Sequence, residues 1–114
     1  MSYKKVEKEE CFGYTDTLDF LVVALCRDYA RREGSVNEKR CTPRTEMEYR
    51  YINYRIIEAT EEIVGVKYAR LFIDEIGNKV GYAYSSVDCM SECMYKIKKK
   101  EVKVNIAKSL HLLD

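Results

Sequence analysis

Leu18, Val22, Leu25 and Tyr29 recur at spacings of four, three and four, which places them on one helical face. A first helix is therefore predicted over about residues 16–33. Thr15 or Asp16 can cap it by accepting a free backbone N–H. Arg27, Arg31 and Arg32 fall in its last turns, where cations suit the negative end of the dipole, and Gly34 is the expected stop. The pattern lapses over the polar stretch 34–44. It resumes at Tyr49, Ile52, Ile56, Ala59 and Ile63, a three-four-three-four seam that predicts a second helix over about 45–64. Thr42 with Pro43, or Thr45 in a capping box with Glu48, offers its start, and Gly65 its end.

Over 66–80, Tyr68, Leu71, Phe72, Ile76 and Val80 fit a third helix. The stretch 69–84 also reads as a hairpin turning at Gly77-Asn78, which would make the fold α+β. The helix is preferred, because no third strand is visible and an isolated hairpin is marginal. A connector rich in Tyr and Ser runs from Gly81 to Met90. Asp88 or Ser91 then caps a last helix over about 91–112, with Val102, Ile106 and Leu110 on its buried side. One proline and five glycines in 114 residues leave few tight turns, which favours helices over a multi-strand sheet. The predicted fold is all-α and a single domain over 1–114. An N-terminal helical hairpin precedes a helix-turn-helix-like unit, and residues 1–14 form a flexible start.

Charge changes this picture at one place. The net charge is only +1, yet six lysines (Lys96, Lys98, Lys99, Lys100, Lys103 and Lys108) follow the Ser91-Glu92 helix start against Glu101 alone. A locally basic helix on a balanced chain is what contact with a phosphate backbone requires. A solvated lysine face is the plainer account of the same residues. As a recognition helix, its N-terminal turns (Ser91, Glu92, Tyr95, Lys96) would face base edges. Lys98, Lys99, Lys100 and Lys103 would hold phosphates.

The segment Gly81-Tyr82-Ala83-Tyr84-Ser85, the run from Ser91 to Lys100, and Ile106-Ala107-Lys108-Ser109-Leu110 together carry a resemblance. They are similar to the C-terminal part of phage-encoded transcriptional regulators of the ArpU type, which resemble the DNA-binding region four of sigma factors. The shared features are a Gly-Tyr connector, a helix-starting Ser, a Tyr four residues on, a Lys-rich turn and an Ile-Ala-x-x-Leu end. The resemblance covers about 30 residues and implies that Ser91 to Lys100 is the second helix of a helix-turn-helix. It implies double-stranded DNA as partner and a role in transcription regulation of phage or prophage origin.

Ten tyrosines and no tryptophan suit the half-buried rim of a small core, with Tyr95 the exception expected to face a ligand. The 49–63 seam, flanked by Tyr51 and Tyr54, is expected to pack mainly on the first helix within one chain and is also a candidate homodimer contact, and both can hold. A non-catalytic interaction module that binds a partner helix through that seam is the alternative function. Arg27, Arg31, Arg32, Arg40 and Arg44 either extend the basic surface or serve as helix-end cations.

No nucleophile set, phosphate-cradling glycine loop or HExxH pattern is present, so neither catalysis, a cofactor nor a small-molecule substrate is expected. Five cysteines (11, 26, 41, 89, 93) with no CxxC pair and one histidine read as free structural thiols rather than a metal site. The longest apolar run, Phe20 to Cys26, is too short to span a membrane, and no signal peptide is visible. A cytoplasmic location is the resulting expectation.

Overall fold

A computed structural model describes residues 13–113, and among them every regular element is helical. The expected flexible start falls mostly outside the described residues, as does Cys11. The elements are α1 (Asp16–Arg27), α2 (Tyr29–Asn37), α3 (Pro43–Val64), α4 (Val66–Gly77), a single 3-10 turn (Tyr82–Tyr84) and α5 (Glu92–Ser109). The all-α expectation holds. Residues 69–84 do not form a hairpin; α4 ends at Gly77 and the chain turns toward α5.

The predicted first helix is broken in two. Thr15 caps α1 by accepting the Leu18 N–H at 3.2 Å, but the helix stops at Arg27 instead of 33. At the break, Asp28 binds both Arg31 (2.6 Å) and Arg32 (3.3 Å). Arg32 turns inward until it is buried. There it donates to the Leu25 carbonyl at 2.6 Å and to Asn53 Oδ1 at 2.7 Å. Those bonds offset the desolvation of the guanidinium. Gly34 is not the stop but an interior residue of α2. The chain reverses at Lys39 instead, which adopts the left-handed φ of 54° while Arg40 N–H reaches the Ser35 carbonyl at 2.9 Å.

Helix α3 starts at the earlier of the two predicted signals. Thr42 accepts the Thr45 N–H at 3.3 Å and Pro43 fills the first turn, where its missing N–H is harmless. Gly65, at φ 83°, ends it and leads directly into α4. The hairpin is built by α2 and α3, joined by Asn53 to the Tyr29 carbonyl (3.1 Å) and by Arg32 to Asn53. Helix α1 instead packs on α4 and α5, and α5 lies against α3.

The seam of α3 faces this core. Ile56 is wholly buried, Ala59 nearly so, and Ile52 and Ile63 pack at their edge. The seam's apolar side chains are thus largely taken up by packing inside the chain, while Tyr51 and Tyr54 beside it stay exposed. The core is completed by Val22, Cys26, Phe72, Ile73, Ile76, Tyr95, Val102 and Ile106. Burial pushes the Cys26 thiol up to about 12, so it stays protonated and packs as a small apolar group.

Candidate nucleic-acid interface

Ser91 performs the capping role expected of it. It has extended backbone (φ −70°, ψ 165°) and its hydroxyl accepts the Met94 N–H at 3.2 Å. Replacing it with alanine removes that acceptor from an exposed helix start. Ser91→Ala should lower stability by about 1 kcal/mol, measured by urea denaturation. An unchanged midpoint would show that solvent satisfies the N–H equally well.

From this cap, α5 projects its first turns into solvent. Glu92, Cys93, Met94 and Lys96 are all exposed, and Lys96 is paired to Glu92 at 2.8 Å. Lys98 is partly exposed and lies 3.6 Å from Glu101, while Lys100 sits over the Tyr14 ring at 4.7 Å. Lys96 and Lys100 are four residues apart and so share a face.

Three of the expected contact residues point inward. Tyr95 is 1% exposed, wedged between Phe72 (ring centroids 5.5 Å apart) and Tyr82 (5.7 Å). Its hydroxyl donates to Glu75 Oε1 at 2.7 Å. Burial, followed by the Glu75 carboxylate, pushes the phenol up to about 12. A side chain so enclosed cannot stack on a base, and the expectation that Tyr95 faces a ligand is corrected. The Lys99 ammonium donates to the Val80 carbonyl, and burial with the nearby Lys103 lowers its pKa. Lys103 is mostly covered and pairs with Asp19 at 2.8 Å. These two lysines secure the fold, so the lysine-rich stretch is not one continuous basic face.

The residue that organises this region was not among the candidates. Glu75 lies on the apolar face of α4, one position before Ile76 and three after Phe72, and is buried. Its carboxylate accepts from Ser85 Oγ (2.6 Å), the Ser86 N–H (2.8 Å) and Tyr95. It thus ties α4, the connector and α5 at one point. Tyr82 adds a second tie, donating to the Met90 carbonyl at 3.0 Å. A charged residue on an apolar helical face was the available signal, since burial of a carboxylate requires dedicated donors. Lys79 was also missed: it is exposed, at a left-handed φ of 55°, in the turn that leaves α4.

The arginines do not converge into one surface. Arg27 donates to the Gly77 carbonyl at 3.0 Å, Arg40 pairs with Glu38 at 2.9 Å, and Arg44 lies 3.5 Å from Glu48. Among the described residues no group of three or more His, Cys, Asp or Glu side chains is placed to hold a metal ion. None of the described helices is long and apolar enough to cross a membrane. A shallow cavity of about 220 Å³ between α3 and α5 is crossed by the Asn105 bond to the Ala59 carbonyl (2.8 Å). No known protein family, curated protein or solved structure matches this chain.

Proposed function

We propose that the protein binds double-stranded DNA and regulates transcription without catalysis, as a cytoplasmic protein of phage or prophage origin. In this reading α4 and the N-terminal half of α5 act as a helix-turn-helix-like unit. One observation carries it: the first turns of α5 are solvent-exposed and bear lysines, while their base is fixed by Tyr95 and Glu75. A helix presented in this way meets two needs of groove binding, a free leading edge and a rigid seat. The resemblance of the Gly81–Leu110 region to ArpU-type regulators supports the same assignment.

The contact set is narrower than the lysine count. Ser91 and Glu92 open the helix. Lys96, Lys98 and Lys100 supply phosphate contacts, with Lys79 as an added candidate at the turn. Lys99, Lys103 and Tyr95 hold the scaffold. The connector of 78–90 is longer than the three or four residues of a compact helix-turn-helix turn. Glu75 compensates by pinning its middle to both helices.

Gel shifts over a salt series test the proposal. Wild-type protein should bind duplex DNA with an affinity that falls steeply as salt rises. Lys96→Glu with Lys100→Glu should weaken binding and lower the slope of log K against log salt by about 0.9 for each phosphate no longer neutralised. Both positions lie outside the core, so circular dichroism should be unchanged. Equal affinity of variant and wild type for specific and random duplexes would remove α5 as the DNA-binding element.

A further inference from the structure

Helix α1 carries an apolar stripe that no other described element covers. Val22, Val23 and Cys26 point into the core, whereas Thr17, Phe20, Leu21 and Ala24 are exposed on the other side. Phe20 is 73% exposed and Leu21 41%. The spacing of 17, 20, 21 and 24 is that of one continuous helical face. Large apolar side chains grouped in this way on a small domain mark a contact surface.

We infer that this face binds a second copy of the chain, with the two α1 helices antiparallel across a two-fold axis. Charge and size both select that arrangement. Asp16 and Arg27 are exposed at opposite ends of α1 and, eleven positions apart, lie on the same flank of the stripe. Antiparallel pairing sets Asp16 of each copy against Arg27 of the other. Parallel pairing sets like against like. Arg27 Nε holds the Gly77 carbonyl, which leaves its terminal nitrogens for a carboxylate. In the same register Phe20 of one copy comes level with position 23 of the other, within one residue of Ala24, so a large side chain packs beside a small one. A two-fold pairing also closes, leaving no free sticky face.

Association through α1 is independent of DNA binding and can be measured without DNA. Light scattering of the full chain at micromolar concentration should give twice the 13.4 kDa chain mass. Phe20→Glu should give the monomer mass with unchanged circular dichroism, since the side chain it replaces is outside the core. Asp16→Arg should weaken association about tenfold or more by facing Arg27 of the other copy. Adding Arg27→Asp should restore it. A wild-type monomer at every concentration overturns the inference. So does a dimer that Phe20→Glu leaves intact, which would move the contact to another face, such as exposed Met47, Tyr51 and Tyr54 on α3.

Discussion

Gly77→Ala should be among the most damaging single substitutions in this protein, lowering stability by about 3 kcal/mol or more. Gly77 is the last residue of α4 and lies where that helix meets the end of α1. A Cβ built there would stand 2.6 Å from the Arg27 nitrogen, 2.7 Å from its Cα and 2.9 Å from the Cys26 carbonyl carbon. All three obstacles are backbone, so no rotamer change relieves them. The helices must separate, which disturbs Cys26 and Ile76 beside the crossing and the Arg27 bond to the Gly77 carbonyl at 3.0 Å. A domain of this size has a total stability of about 5–15 kcal/mol, so the loss approaches unfolding. Gly34→Ala is the matched control. Its Cβ would meet only the flexible end of Arg40 at 3.5 Å, inside a helix, and the substitution should stabilise by about 0.5–1 kcal/mol. Urea denaturation of both variants checks the pair. A Gly77→Ala protein as stable as Gly34→Ala would refute the close crossing.

Gly77 also shows which parts of the fold were readable in the chain. It reads locally as the turn of a possible hairpin; its value lies in a contact with Arg27, 50 positions away, which no local pattern carries. Local signals with a local mechanism were legible. Thr15, Thr42 and Ser91 each cap the helix that follows, and Gly65 ends α3. The break at Asp28 was not legible. The apolar spacing runs straight through it, and only the inward turn of Arg32 toward Leu25 and Asn53 accounts for it. Helix ends at Lys39, Lys79 and His111 were hidden for another reason. Each adopts a left-handed φ that glycine would have advertised.

The helix proposed as the interface was legible in its start and extent, whereas the facing of its side chains was not. Helix α5 buries Tyr95, Val102 and Ile106 on one side but also Val104 and Ala107 toward others, because α1 and α3 both pack on it. With so wide an apolar surface, periodicity does not identify the outward lysines. Lys99 and Lys103 read as exposed by type, yet each reaches across to a partner, the Val80 carbonyl and Asp19. The partners of a long side chain lie in the tertiary structure and not in its own helix.

Glu75→Ala should cost about 2–4 kcal/mol, because it strands the donors that converge on the carboxylate. The Tyr95 hydroxyl is buried and has little access to water, whereas Ser85 and Ser86 lie nearer the surface and can rehydrate. Tyr95→Phe removes only one of the three donors and should cost less, about 1–2 kcal/mol. The pH dependence separates charge from shape. Burial pushes the Glu75 pKa up, but the bonds from Ser85, the Ser86 N–H and Tyr95 outweigh it and hold the carboxyl below its ordinary 4.5. A depressed folded-state pKa gives stability that is complete above the unfolded value and is lost as pH falls through the folded one. The Glu75 contribution should therefore be constant above about pH 5 and decline below 4.5. Asp19 and Asp28 are also held low and add to the same acid limb: at Asp19 burial pushes the carboxyl up but the bonds from Lys103 and Tyr14 outweigh it, and at Asp28 the bond from Arg31 dominates. Glu75→Gln keeps the size but not the charge, so stability plotted against pH should flatten on that limb without becoming level. It should also loosen the connector, so that Ser91 and the first turns of α5 exchange amide hydrogens faster than in the wild type. An acid limb as steep in Glu75→Gln as in the wild type would place the acid sensitivity at Asp19 and Asp28 alone and deny Glu75 its role as the anchor of α5.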